Sequence, residues 1–166
     1  MNINIRPMLS SDYPTVARIY EEGIATGNAT FQDSAPTWES WDKAHVPYAR
    51  LVVENTEGDV IAWAALTAVS DRCVYAGVAE ESIYVSESAR GLGIGRLLMA
   101  KLIEESEAKG VWTLQAGIFP ENEGSVKLHE KSGFRCIGYR ERIGKMSDGR
   151  WRDSLIFERR SKIVGK

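Results

Sequence analysis

The chain has 166 residues, of which 43% are hydrophobic and 27% charged, and its formal net charge at pH 7 is −2. This length and composition are typical of one globular domain with enough chain to bury a core. The slightly acidic balance argues against nucleic-acid and membrane-surface partners, because proteins that bind them carry basic patches. A small anionic ligand needs only a local cluster of cations.

The sequence indicates neither a targeting segment nor a metal or disulfide framework. The start "MNINIRPML" lacks the basic residues and apolar stretch of a signal peptide, and no apolar run approaches the ~18 residues of a membrane span. Cys73 and Cys136 have no C-x-x-C spacing, so we expect two buried thiols in a reducing compartment. The sequence therefore predicts a soluble cytoplasmic protein without a metal.

Patterns in the first half of the chain predict a strand, two helices and a hairpin. The strand covers "INIRP", and the first helix covers "SSDYPTVARIYEEGIA", where apolar side chains recur at helical spacing. The second helix covers "TWESWDKAHV", with Thr37 as its cap and His45 as a surface residue. The segments "RLVVEN" and "VIAWAALTAV" predict a β-hairpin around Gly58.

The second half predicts four strands and two helices. The strand "AGVAEESIYVSE" leads into a glycine turn and a long helix that Gly110 ends, and then come the strand "VWTLQAGIF" and the helix "PENEGSVKLHEKSG". The strands "FRCIGYRERIG" and "RWRDSLIFERR" form a last hairpin through "KMSDG". This order predicts a mixed α/β sheet with helices packed on it, in one domain over residues 1–166 with a core at about 3–160.

The glycine turn joins a strand to the start of a helix and reads Arg90-Gly91-Leu92-Gly93-Ile94-Gly95-Arg96. Its glycines leave amide N–H groups open to one ligand, the helix start adds partial positive charge, and Arg90 and Arg96 can donate hydrogen bonds to phosphate oxygens. The turn matches neither the P-loop nor the dinucleotide-binding glycine pattern. From the residues alone, a glycine-rich turn with no ligand stays open as the alternative.

The turn and its surroundings resemble one known family. Arg90-x-x-Gly93-x-Gly95 is similar to the R/Q-x-x-G-x-G/A signature of the GNAT N-acetyltransferases, whose loop amides hold the pyrophosphate of acetyl-CoA. With "AEESIYVSESARGLGIGRLLM", "NEGSVKLHEKSGF" and "GRWRDSLIFERR", nearly the whole chain resembles the phosphinothricin, methionine sulfoximine and arsinothricin N-acetyltransferases of that family. Within this subfamily, its sequence most resembles members found in arsenic-resistance contexts.

The resemblance implies a GNAT fold of class α/β (α+β), with a central mixed, mostly antiparallel twisted sheet flanked by helices. It also implies acetyl-CoA as co-substrate, a small-molecule amine as acceptor, a role in resistance or detoxification, and a homodimer. Two rival functions stay open. One is acetylation of another amine, such as a polyamine, an aminoglycoside or a protein N-terminus, and the other is a catalytically idle acetyl-CoA-binding regulator.

Transfer of acetyl to an amine requires a neutral amine, whereas an α-amino group with a pKa of about 8 is mostly protonated at pH 7. A carboxylate that removes the proton typically contributes about 10²–10⁴-fold in rate. Glu80 and Glu81 are the candidates, and we expect at most one to face the cleft because adjacent strand residues point to opposite faces. The resemblance aligns the family's glutamate with Glu80, which we predict to be the base.

The developing oxyanion and the departing thiolate need stabilising groups of their own. We expect backbone N–H groups near Tyr84 or Val85 to hold the oxyanion. His129 stands where many relatives carry a tyrosine that protonates the sulfur. It is therefore either an acid or proton shuttle or a packed helix histidine.

The remaining site residues follow from the resemblance. Acetyl-CoA contacts are assigned to Ile83, Tyr84, Val85, Arg90, Gly91, Leu92, Gly93, Ile94, Gly95, Arg96, Asn122 and Ser125. Asn122 and Ser125 are equally ordinary residues for a helix start. Substrate contacts are assigned to Phe31, Arg72, Tyr75 and Glu80, with core packing as the alternative for the two aromatic side chains.

Overall fold

Seven strands form one sheet in the computed structural model, which describes residues 2–166. The order across the sheet is β1-β2-β3-β4-β5-β7-β6, and among these residues β4 and β5 form the one parallel pair. The bounds are β1 Asn4–Pro7, β2 Leu51–Glu54, β3 Val60–Ala68, β4 Val78–Val85, β5 Thr113–Ile118, β6 Arg135–Lys145 and β7 Trp151–Arg160. The predicted central mixed, mostly antiparallel sheet is confirmed.

Four helices flank the sheet: α1 Tyr13–Ala25, α2 Trp38–Ala44, α3 Ile94–Ala108 and α4 Glu123–Lys131. Thr37 caps α2 as predicted, since its hydroxyl accepts the N–H of Ser40 at 3.2 Å. Asn122 caps α4 in the same way, with the N–H of Ser125 at 3.2 Å from its Oδ1. The predicted order and type of the helices are therefore confirmed, with ends that differ by a few residues.

Alternation along the strands separates two apolar cores. In β3, Ala64 and Leu66 pack on the side of α3, whereas Trp63 and Ala65 pack on the side of α1 and α2. The same parity in β4 sends Ile83 toward the first core and Tyr84 toward the second. The sheet is thus the middle layer of three.

The strands β4 and β5 run side by side only at their beginnings. Their register pairs Val78 with Thr113, Ala79 with Leu114 and Glu80 with Gln115. Beyond Glu80, among the residues that the structure describes, β4 pairs with β3 alone. The two strands part at this point, and the opening between them positions the site described below.

Two predictions about burial are wrong. Cys73 and Cys136 are exposed, because Cys73 lies in a surface turn before β4 and Cys136 lies on the edge strand β6. His45 is half-buried rather than on the surface. Within residues 2–166 no helix combines the length and apolarity needed to cross a bilayer. The assignment of the whole chain to one domain stays a prediction.

Candidate active site

A cavity of about 1250 Å³ passes through the sheet where β4 and β5 part. Residues from both layers line it: Trp41 and His45 come from the side of α1 and α2, and Gly95, Leu128 and His129 come from α3 and α4. Both Glu80 and Glu81 line it as well. The expectation that only one of these two carboxylates faces the cleft is therefore wrong, because the cavity reaches both faces of the sheet.

The charged side chains that line this cavity divide it into two sides. The side formed by the glycine turn, α3 and α4, which we call the basic side, carries Arg90, Arg96, Lys127 and Lys131 against one exposed carboxylate, Glu123, and the buried Glu81 that pairs with His129. On the other side, α1, α2 and their connection meet β4 and the residues before α4. This side, which we call the acidic side, carries Glu80 and Glu121 and, within residues 2–166, has no lysine or arginine among its lining residues, although the buried Arg152 pairs with Glu121. Sequence reasoning missed the two lysines, although their spacing of four residues on α4 places them on one helix face.

The glycine turn on the basic side fits a pyrophosphate. Gly91 and Gly93 have φ of 77° and 80°, in the left-handed region that favours glycine. Gly93 precedes the first residue of α3 and has no side chain to cap it, so the N–H groups of the first turn stay available to an anion. Of the predicted turn residues, only Leu92 does not line the cavity.

The backbone of β4 presents donors to the opening. At the two ends of its pairing with β3, Ser86 N–H donates to Ile61 O at 2.8 Å and Val69 N–H donates to Val78 O at 3.4 Å. Because the register between these bonds is uninterrupted, hydrogen-bonded positions alternate, and Tyr84 donates its N–H to β3. The N–H groups of Ile83 and Val85 face the opening instead. The N–H of Tyr84 is therefore not free to bind the oxyanion. The N–H groups that can bind it are those of Val85, as expected, and of Ile83 two residues earlier.

The side chain of Tyr84 belongs to an aromatic cluster against α1. Its ring is stacked on Trp63 with centroids 5.0 Å apart and lies 4.8 Å from the ring of Tyr20. Burial raises the pKa of Tyr84 above its ordinary value. A phenol in this environment holds its proton tightly and serves as a wall of the cavity rather than as a base.

Glu81 and His129 form a buried pair on the α4 side of the sheet. Nε2 of His129 contacts Oε1 of Glu81, and Nδ1 lies 2.7 Å from the carbonyl oxygen of Ser125. Burial alone would lower the pKa of His129, but the hydrogen bond to Glu81, its charge and the Ser125 carbonyl together raise it. Oε2 of Glu81 is buried without a hydrogen-bond partner within residues 2–166. Glu80, by contrast, is exposed to the cavity.

The connection between α1 and α2, the α1–α2 loop of residues 26–36, forms much of the acidic side. Its Phe31 meets Phe119 edge to face at 4.8 Å between ring centroids. Gly144 of β6 allows the ring to approach closely, since a Cβ there would lie 2.3 Å from Phe31 Cζ. Phe31 lines the cavity as predicted, and its role in substrate binding stays a prediction.

Two polar side chains hold this loop to the rest of the site. Arg152 of β7 is buried and donates to Gly27 O at 2.7 Å, to Asn28 Oδ1 at 2.8 Å and to Glu121 Oε2 at 3.3 Å. Asn122, while capping α4, donates from Nδ2 to Asn28 O at 3.1 Å. Sequence reasoning missed Arg152, because nothing in "GRWRD" marks which arginine points inward.

Arg72 and Tyr75 lie apart from this cavity. Both are exposed in the connection between β3 and β4, with the guanidinium of Arg72 5.6 Å from the ring centre of Tyr75. Neither is among the residues that line the cavity. The structure does not bring these two predicted substrate contacts together with Glu80, whereas His45 and Trp41, which the sequence did not indicate, line the same cavity as Glu80.

Comparisons with known proteins agree with this geometry. A model of the acetyltransferase (GNAT) family matches residues 10–134. An L-methionine sulfoximine/L-methionine sulfone acetyltransferase of Pseudomonas aeruginosa is 28% identical, over 95% of this chain and 94% of its own length. The structure of a phosphinothricin acetyltransferase from Sinorhizobium meliloti in complex with acetyl-CoA is 27% identical, covers 99% of this chain and 96% of its own, and has a TM-score of 0.85.

A third protein has a different stated substrate. The structure of a ribosomal-protein-alanine N-acetyltransferase from Brucella melitensis is 30% identical, covers 95% of this chain and 99% of its own, and also has a TM-score of 0.85. The family model, the shared fold and the turn that fits a pyrophosphate lead to one conclusion. The chain belongs to the acetyltransferase (GNAT) family and is an acetyl-CoA-dependent N-acetyltransferase.

Proposed function

We propose that the enzyme acetylates the α-amine of a small acidic amino-acid analogue of the phosphinothricin, methionine sulfoximine or sulfone, or arsinothricin type, as a cytoplasmic resistance or detoxification activity. The stated substrates of the relatives from Pseudomonas aeruginosa and Sinorhizobium meliloti support the substrate class. The observation that carries acetyl transfer to an amine is the position of the arginines and free amides of the glycine turn on one side of the cavity and of Glu80 on the other, whereas the acidic substrate class rests on these relatives.

On the basic side, the amides of the glycine turn with Arg90 and Arg96 hold the pyrophosphate of acetyl-CoA. The free N–H groups of Ile83 and Val85 border the opening through which the acetyl end reaches the amine. One of them donates to the thioester oxygen as negative charge develops there. With this assignment, the thioester lies in the opening between the basic side and the acidic side of the cavity. There it can meet the amine.

On the acidic side, the carboxylate of Glu80 takes a proton from the ammonium group, so that the electron pair stays on nitrogen. The neutral nitrogen then attacks the carbonyl carbon and a C–N bond forms. As the C–S bond breaks, the nitrogen releases its second proton to solvent, which leaves the neutral amide. The thiolate that leaves takes a proton from the Glu81–His129 pair or from solvent. Asn122 and Ser125 lie at the start of α4, where they border the path of the pantetheine arm.

A panel of amines tests the proposal. The purified enzyme is incubated with acetyl-CoA and each amine, and free thiol release gives kcat/KM. Phosphinothricin, methionine sulfone and arsinothricin are compared with spermidine, an aminoglycoside and an alanine-starting peptide. We expect the three amino-acid analogues to have the highest kcat/KM. A higher kcat/KM for any member of the second group would overturn the substrate class while leaving the enzyme class intact.

The second candidate, acetylation of a cationic amine or a protein N-terminus, rests on one specific observation. The acidic side has two glutamates and no lysine or arginine among its lining residues within 2–166, and Arg72 lies outside the cavity. Because Arg152 pairs with Glu121, the charge that remains is that of Glu80, which suits a cationic acceptor better than a carboxylate. The similarity to the alanine N-acetyltransferase from Brucella melitensis points the same way.

We also propose a homodimer, as the family resemblance implies. The edge strand β6 and its neighbour β7 expose Ile137, Tyr139, Ile143 and Trp151, all about half accessible. Apolar side chains gathered on a sheet edge are typical of a surface that pairs with another chain. Sedimentation equilibrium of the wild type and of Ile143→Glu tests this: the wild type should be dimeric and the variant monomeric.

A further inference from the structure

The ring of His45 is fixed in one orientation by three contacts. Nδ1 lies 2.7 Å from the carbonyl oxygen of Trp41, one helical turn earlier. The imidazole is stacked on the Trp41 indole with centroids 4.0 Å apart and meets Trp63 edge to face at 6.4 Å. A side chain held this firmly has one edge left for another partner.

The hydrogen bond to Trp41 also fixes which nitrogen carries the proton. A carbonyl oxygen only accepts, so Nδ1 of His45 must be the donor, and in the neutral ring Nε2 is then an acceptor. Within residues 2–166, Nε2 takes part in no hydrogen bond, and it is not among the buried atoms that lack one. Its lone pair is therefore open to the cavity that His45 lines.

The backbone places this ring on the face of the sheet to which Glu80 also points. The N–H of Val46 donates to Leu66 O of β3 at 2.9 Å, so the chain crosses the sheet directly after His45. The next residue of β3, Thr67, is the cross-strand partner of Glu80, and both Thr67 and Glu80 line the cavity. His45 and Glu80 thus lie on opposite sides of β3, and both line the cavity.

We propose that Nε2 of His45 accepts a hydrogen bond from the ammonium group of the substrate. It would be a second hydrogen-bond acceptor for that group, in addition to the carboxylate of Glu80. This inference rests on the proposed function, since it needs the amine to enter the acidic side. The ammonium group has three N–H donors and gives up one proton to the base, so a second acceptor orients the nitrogen while Glu80 removes that proton. His45 is then part of the binding site for any amine that reacts.

The charged groups around His45 agree with a neutral ring. Arg50 of the segment before β2 donates to the carbonyl oxygen of His45 at 2.9 Å and is paired with Asp42 of α2, while Glu80 lies across β3. Burial lowers the pKa of His45 and the charge of Arg50 lowers it further, against the opposing effect of the Trp41 carbonyl. The acceptor edge is therefore available at neutral pH.

Two substitutions separate this role from packing. His45→Asn keeps an N–H near the position of Nδ1, and with it the bond to Trp41, but has no atom at Nε2. His45→Gln places an amide near Nε2. With the amine that turns over fastest, we expect His45→Asn to lower kcat/KM for the amine about 10- to 100-fold. Both variants lose the ring contacts with Trp41 and Trp63, so their melting temperatures should fall by a similar amount while the acetyl-CoA Kd stays unchanged, and His45→Gln should retain more activity than His45→Asn.

A spectroscopic measurement keeps the proposal falsifiable if His45→Asn does not fold. The chain has two histidines, so ¹⁵N-histidine spectra of the wild type are readily assigned. Adding CoA and then the same amine should shift the Nε2 resonance of His45 toward that of a hydrogen-bonded nitrogen. No shift, or wild-type kcat/KM in a folded His45→Asn, overturns the inference. If the amine with the highest kcat/KM lies outside the proposed class, only the proposed substrate class is overturned. The role of His45 is still tested, because its variants are measured with whichever amine reacts fastest.

Discussion

Oε1 of Glu81 contacts Nε2 of His129 where β4 faces α4, and the two side chains are only 1% and 2% exposed. The other nitrogen of the ring points at the Ser125 carbonyl, which only accepts hydrogen bonds. A ring that carries a proton on each nitrogen donates to both of these acceptors, and this is the state that the raised pKa of His129 favours. Both nitrogens are engaged, and any proton that His129 gives to a thiolate must come from the pair.

We expect the pair to stabilise the fold in a pH-dependent way. Because the pKa of His129 is raised, its contribution is fully present below the unfolded value of about 6.5 and is lost as the pH rises through the folded value. Glu81→Gln should therefore lower the free energy of unfolding by about 1–3 kcal/mol at pH 6 and by less at pH 9. Urea denaturation at the two pH values measures this. Glu130→Gln is the control, because Glu130 is exposed on α4 next to His129. Equal losses at both pH values would contradict the ion pair.

The two adjacent glutamates should differ in their effect on rate. Glu80→Gln removes the carboxylate that is open to the acidic side, so we expect kcat to fall at least ~10²-fold with little change in acetyl-CoA affinity. Glu81→Gln should reduce kcat less, because Glu81 is occupied by His129. Steady-state kinetics of the two variants side by side decide the matter. A larger loss for Glu81→Gln would move the base to the opposite face of the sheet.

The elements of this fold could be predicted from local patterns because their causes are local. Thr37 caps α2 with the residue three positions later, and Gly110 follows the end of α3 with φ of 82°. The family signature likewise lies in one continuous turn. Each of these signals depends on residues within a few positions of one another, which a single sequence displays directly.

The parts of the site that could not be predicted depend on contacts between distant segments. His45 meets the cavity only because Val46 is bonded to β3, and Arg152 points inward only because Gly27 and Asn28 offer carbonyl and amide oxygens there. The cavity passes through the sheet because the β4–β5 pairing ends at Glu80. None of these relationships has a period or a spacing in the sequence.

The glycine turn offers a test of acetyl-CoA binding with an internal control. Gly93 and Gly58 both have left-handed φ, 80° and 87°, and a Cβ at either position would meet no atom within 4 Å. Alanine at either site should cost a similar free energy of unfolding, about 1–2 kcal/mol. Only Gly93 borders the basic side, so we expect Gly93→Ala alone to weaken acetyl-CoA binding, by about 10-fold or more. Calorimetry that gives both variants the wild-type Kd would remove the turn from the binding site.

The planar guanidinium of Arg152 donates hydrogen bonds to Gly27 O, Asn28 Oδ1 and Glu121 Oε2. It lies 4.1 Å from the ring centroid of Phe119. These contacts hold the α1–α2 loop in the position that forms the acidic side. Arg152→Met keeps the length of the side chain but leaves the loop oxygens unpaired. We therefore expect KM for the amine to rise about 10-fold and the free energy of unfolding to fall by about 1–3 kcal/mol, with KM for acetyl-CoA unchanged.

The neighbouring Arg150→Met is the matched control, because Arg150 is exposed and, within residues 2–166, its one ion pair is with the exposed Asp148. Arg150→Met should leave KM for the amine and KM for acetyl-CoA unchanged. It should change the free energy of unfolding by at most about 1 kcal/mol, as is usual for such surface pairs. Arg152→Lys should not restore the wild-type KM, because an ammonium group cannot reproduce a fork that reaches three acceptors at once. If Arg152→Met lost stability yet kept the wild-type KM for the amine, the loop would not depend on Arg152 for its position. The acidic side would then have to be formed by α1 and β4 alone.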